Sequence, residues 1–105
     1  GDETGRTLIF DEVDSGVGGA VAAAVGERLA RLGQTTQTLV VTHSPQVAAK
    51  GDQHMKIAKT ATDSGVISCT EPLEDSARTE EIARMLAGEE ITAEARAAAL
   101  ALREG

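Results

Sequence analysis

Apolar and polar positions alternate between two rhythms along this chain. Thr7-Leu8-Ile9-Phe10 is a short unbroken apolar run that ends in acids, the pattern of a strand buried on both faces. Asp14 to Gly19 reads as a loop, with glycine at three of its last four positions. Val21, Val25, Leu29 and Leu32 then recur at helical spacing while Glu27, Arg28 and Arg31 face away, and Gly33 is a natural stop. Thr38-Leu39-Val40-Val41-Thr42 is a second continuous strand. Strand, helix and strand at these lengths make a right-handed parallel crossover.

Ser44 followed by Pro45 opens a short helix, with serine as N-cap and proline at the first helical position, and Gly51 ends it. His54 to Thr60 and Val66 to Thr70 read as two strands of a hairpin joined across Ala61 to Gly65. After Pro72 the rhythm becomes helical. Asp75 or Ser76 caps a segment whose Ile82, Met85 and Leu86 form one stripe, closed by Gly88. Thr92 caps a last, alanine-rich helix ending near Arg103. The fold class is α/β, with a parallel core pair, a hairpin and two closing helices.

Composition narrows the picture. A chain of 105 residues is one domain at most, and its 41% hydrophobic content excludes a disordered tail. With one Phe and no Tyr or Trp, the core must come from small aliphatic side chains that each bury little area. That implies a piece relying on neighbours for burial. The polar opening Gly1 to Arg6, running straight into a strand, reads as cut from something longer and carries no signal peptide. No apolar run approaches the ~20 residues of a membrane helix.

The net charge of −7 offers no basic face for phosphates, so any DNA contact of a parent protein belongs to its other parts. The single cysteine, Cys69, fits a reducing compartment and reads as a small strand residue.

Asp11 and Glu12 stand where a buried parallel strand ends, the edge at which open α/β sheets bind ligands. Adjacent acids there cannot point the same way, so one can hold a cation while the other addresses a water. That division suits nucleotide hydrolysis. The dipeptide alone is equally what solvates an ordinary strand end. His43, at the end of the next strand, belongs on the same edge and can donate to a terminal phosphate. His54 starts a strand with no partner motif and reads as an ordinary polar residue.

Leu8 to Glu12 resembles the Walker B strand of the ABC and SMC-type ATPases, Val13 to Gly16 their D-loop, and Val41 to Ser44 their switch-histidine loop. The run Phe10 to Gly19 is similar, more narrowly, to the segment typical of the bacterial RecN family. Thr42 to Ala49, Lys59-Thr60 and Glu80 to Gly88 fit that family too. The resemblance implies the C-terminal lobe portion of a P-loop ATPase head.

On that resemblance Asp11 helps bind Mg²⁺ through water, Glu12 is the catalytic base and His43 senses the γ-phosphate of ATP. Asp14 and Ser15 belong to the nucleotide-facing D-loop, where Asp14 acts across the interface between two heads. The implied partners are the N-terminal half of the same head, a second head sandwiching ATP, and DNA through other regions. The implied setting is recombinational repair of double-strand breaks in the bacterial cytoplasm, at the nucleoid.

No G-x-x-x-x-G-K-[ST] loop, signature segment or coiled coil occurs in the chain. The chain alone is therefore expected not to hydrolyse ATP, to be weakly stable or self-associating, and to expose apolar surface where a missing half packs.

Three rivals remain. A receiver-type phospho-acceptor module would use Asp11, Thr42 and Lys59, but it needs an upstream acidic pair, and its lysine precedes a proline where Lys59 precedes Thr60. A docking module would make the acids a solvated loop. An EF-hand fails because Val13 fills a position that needs an oxygen ligand.

Overall fold

A computed structural model describes residues 6–104; the opening Gly1 to Gly5 lies outside the described residues. The chain runs β1 (Thr7–Asp11), α1 (Gly19–Gly33), β2 (Gln37–Val41), α2 (Pro45–Ala48), β3 (His54–Thr62), β4 (Gly65–Leu73), α3 (Asp75–Ala87) and α4 (Ala93–Glu104). Every expected element is present and in the expected order.

β1 and β2 pair in parallel, with Phe10 opposite Val40 and Asp11 opposite Val41. β3 and β4 form a separate antiparallel sheet, longer than the sequence pattern suggested, because Thr62 pairs with Gly65 and leaves a two-residue connection. Gly65 adopts φ +133°, which a side chain would resist.

The helix ends differ in chemistry. Ser44 caps α2 as expected, its Oγ accepting from the Val47 N–H at 3.3 Å. Thr92 Oγ1 likewise accepts from Ala95 N at 3.1 Å at the start of α4. α3 departs from the expectation: Glu74 is the cap residue, without a side-chain bond, and Asp75 is the first helical residue. Gly88 ends α3 at φ +83°, a positive φ that glycine adopts without steric cost. Gly33 does not act that way, since it closes α1 as a helical residue and the following Gln34 stays right-handed.

The strands β1 and β2 are not covered on both faces. Their burial alternates, and Ile9 and Leu39 are 67% and 49% exposed. α1 lies against β2 on one side, and nothing among the described residues covers the other. The hairpin is barer still, with Ile57 58% and Val66 70% exposed. The exposed apolar surface expected of a piece that relies on neighbours is therefore present, on both sheets.

The enclosed core lies elsewhere. Ala49, Ile82, Ala83, Ala95 and Ala99 pack together, with Ile91 and Leu102 at the margin, joining α2, α3 and α4. α1 docks on α2 through its smallest residues, Ala22 and Gly26, rather than through Val21, which is exposed. A Cβ on Gly26 would stand 3.2 Å from both Val47 Cα and Gln46 O, so glycine sets how closely the two helices approach.

Candidate functional site

The parallel pair brings two loops side by side. Asp11 and Val41 are register partners, so the residues just beyond them, Glu12 to Gly16 and Thr42 to Ser44, leave the sheet on one edge. The Glu12 N–H donates to the Val41 carbonyl at 3.0 Å, extending the pairing one step past the strand. Glu12 then takes φ +55°, an uncommon left-handed conformation for a residue with a side chain. Such backbone persists where its surroundings hold it, and it breaks the strand's alternation between Asp11 and Glu12.

Glu12, Asp14, Ser15, Gly16, His43 and Ser44 line an open hollow at this edge. His43 Nε2 stands 3.7 Å from Glu12 Oε1, both side chains largely in solvent. An exposed pair of this kind adds little stability. Asp11 and Ser15 are exposed at the same edge. Four sequence-selected residues, Glu12, Asp14, Ser15 and His43, thus gather in two adjoining loops, with a fifth, Asp11, at the end of β1 beside them. Lys59 does not join them, since it sits within the antiparallel hairpin. A receiver-type site needs its lysine beside Asp11 and Thr42, so this placement counts against that rival.

Asp14 differs from its neighbours in being buried, at 8% exposure. Its Oδ2 accepts the Thr42 hydroxyl proton, and Thr42 Oγ1 in turn accepts from the Ser44 N–H at 2.9 Å. Ser44 Oγ donates to Gln46 Oε1 at 2.9 Å while capping α2. The first loop is closed by backbone bonds from Ser15 N to Glu12 O and from Val17 N to Asp14 O. At Gly16 φ is +80°, a conformation side chains avoid. Sequence reasoning selected Asp14 but missed its intrachain partner. The spacing of a threonine directly before the strand-end histidine carried the signal only in retrospect.

The donor set can be weighed against Mg²⁺. That ion usually takes one or two carboxylates together with substrate phosphates and waters, rather than an all-protein cage. Among the described residues no group of three or more His, Cys, Asp or Glu side chains forms such a cage. One exposed carboxylate at a strand end, from Asp11, fits the lesser share. A phosphate cradle is not part of this sequence.

A second cluster was not anticipated. Arg78, 8% exposed, points its Nη2 at the carbonyl oxygens of Ala48, Ala49 and Gly51, where α2 ends. Half-buried His54 lies near it. Burial holds the His54 imidazole below its ordinary pKa, with the Arg78 and Arg103 charges adding to that and Glu81 opposing it. Glu81, also buried, is held below the usual carboxylate range chiefly by its hydrogen bonds from Arg84.

The RecN protein of Xylella fastidiosa (strain Temecula1) is 52% identical over 97 residues, covering 92% of this chain and 17% of that protein. That of Streptomyces coelicolor is 49% identical over 98 residues, 93% of this chain and 17% of its own length. Mycobacterium bovis RecN is 54% identical over 86 residues.

The chain is homologous to one segment of the RecN proteins.

It spans about a sixth of the length of these RecN proteins, each described as a DNA repair protein. No family model matches the chain. A solved SMC ATPase, studied for ATP-driven dimerization and DNA-stimulated activation, shares its fold at a TM-score of 0.63 and 17% identity. That match covers 84% of this chain and 52% of the other. The α/β arrangement of parallel pair, hairpin and closing helices is thus that of a lobe of an SMC-type ATPase head. No described helix is long and apolar enough to cross a membrane.

Proposed function

We propose that this chain is the C-terminal part of the ATP-hydrolysing head of a RecN-like protein acting in recombinational repair of DNA double-strand breaks. The observation that carries the reading is the meeting of Glu12 and His43, at 3.7 Å, on the carboxyl edge of a parallel strand pair. Leu8 to Glu12 serve as the Walker B strand, Val13 to Gly16 as the D-loop, and Val41 to Ser44 as the switch loop.

In this reading Glu12 accepts a proton from the attacking water and orients it in line with the terminal phosphate. His43 donates to the γ-phosphate oxygens as charge develops there. Asp11 helps hold Mg²⁺, which when bound neutralises phosphate charge. Asp14 and Ser15 shape the loop facing the nucleotide. The phosphates themselves need a cradle from the N-terminal half of the same head, and a second head closes over the ATP. DNA contacts fall to other regions, in keeping with the −7 charge. The setting is the bacterial cytoplasm, at the nucleoid.

The purified chain is expected to show no ATP turnover, and co-expression with the N-terminal half of a RecN head is expected to restore it. Turnover by the chain alone that Glu12→Gln abolishes would overturn this division of labour.

A further inference from the structure

We infer that Asp14 and Thr42 act as one positioning unit, which sets the height of His43 over the reacting phosphate from within the same chain. The inference rests on the proposed hydrolytic role of the site and goes beyond it. On resemblance alone Asp14 faces nucleotide or a second head. Here its carboxylate is 8% exposed and turned into its own chain, where Oδ2 takes the Thr42 hydroxyl proton.

The geometry makes Thr42 a junction. It directly precedes His43, and its single hydroxyl hydrogen is committed to Asp14, leaving the oxygen to accept from Ser44 N at 2.9 Å. His43 is therefore the one residue between two anchored neighbours. Its own side chain is 90% exposed and has only the 3.7 Å approach to Glu12. An imidazole so free has little to orient it except its backbone.

Asp14 is in turn tied to Glu12's loop, since Ser15 N bonds to Glu12 O and Val17 N to Asp14 O. The base and the phosphate-sensing histidine thus sit at opposite ends of one short chain of bonds: Glu12 backbone, Asp14 carboxylate, Thr42 hydroxyl, His43 backbone. Breaking the Asp14–Thr42 link lets the two loops part. Displacements of about 1 Å at reacting groups can lower turnover by about 10²-fold without touching the chemistry itself.

The test uses a complete RecN-family protein carrying this segment, assayed for kcat, KM for ATP and ATP-driven head pairing. Asp14→Ala and Thr42→Val are each expected to lower kcat about 10²-fold with KM and pairing near wild type. The double variant is expected to be no worse than either single one, because both remove the same bond. Thr42→Ser and Asp14→Asn, which keep a donor and an acceptor, are expected to recover most of the rate. Wild-type kcat in Thr42→Val, additive losses in the double variant, or loss of head pairing in Asp14→Ala would overturn the inference. Glu12→Gln is run beside them. If it alone lowers hydrolysis, the site reading stands and the positioning unit fails; wild-type hydrolysis in Glu12→Gln overturns both.

Discussion

Arg78 and Gly51 are separated by 27 residues, yet the guanidinium of the first donates to the backbone carbonyl of the second. The same Nη2 lies 3.1 Å from Ala48 O and 3.3 Å from Ala49 O. One planar cation on α3 therefore closes the C-terminal end of α2, the helix that begins beside His43. A helix this short leaves most of its terminal carbonyls without partners of their own. Arg78→Leu is expected to destabilise the fold by about 2–3 kcal/mol, since it strands buried acceptors. Arg78→Lys should recover less than half of that loss, as the shorter lysine side chain does not carry its ammonium as far as the place Nη2 occupies among the three carbonyls. Urea midpoints measure both, and an unchanged midpoint in Arg78→Leu would contradict the capping role.

His54 gives the fold a pH dependence of known sign. Burial lowers its folded pKa, helped by Arg78 and Arg103 and opposed by Glu81. As pH falls below the unfolded value of about 6.5, the unfolded chain takes up a proton that the folded chain still refuses. Stability is then lost progressively until the lowered folded pKa is passed, and is complete above about 6.5. Glu81, whose pKa is also lowered, adds its loss only at more acidic pH. His54→Gln should flatten the slope just below about pH 6.5 while leaving the acid limb. Thermal unfolding across that range checks it, and a slope unchanged in His54→Gln would assign the dependence elsewhere.

Two glycines of α1 should respond in opposite directions. At Gly33 an added Cβ meets nothing within 4 Å, so Gly33→Ala should stabilise by about 0.5–1 kcal/mol through helix propensity. At Gly26 the same methyl meets α2 backbone at 3.2 Å and Lys50 Cγ at 3.1 Å. Overpacking of about 1–3 kcal/mol there outweighs the propensity gain. Gly26→Ala should therefore lower the melting temperature while Gly33→Ala raises it. Equal gains at both positions would show that the α1–α2 approach is looser than the structure has it.

Much of the fold was legible because it is written in periodicity. The apolar runs Leu8 to Phe10 and Leu39 to Val41, the Ser44-Pro45 start and the Gly88 stop each follow from local sterics that need no tertiary partner. The gathering of Glu12 and His43 was legible too, since parallel strands deliver their ends to one edge.

What escaped notice depends on contacts between distant residues. Ala95 and Ala99 give no strong apolar signal, yet they build the core with Ile82 because α3 and α4 approach closely. Arg78 and Glu81 look like the solvated face of a helix, and only the position of α2 and Arg84 reveals them as buried partners. The parallel strands, suited to cover on both faces, lack it on one, as expected of a piece that relies on neighbours. A continuous apolar run records the cover a strand is suited to, and Ile9 at 67% exposure shows that these residues do not supply it.

The most direct measurement compares hydrolysis with binding in a complete RecN-family protein in which Glu12 is changed to Gln. The amide keeps the shape of the side chain and loses the base. ATP binding and ATP-driven head pairing are expected to persist while turnover is lost, and His43→Ala is expected to slow turnover by roughly 10²-fold or more. Wild-type turnover in Glu12→Gln, or loss of ATP binding together with turnover, would contradict the roles given to this edge of the sheet.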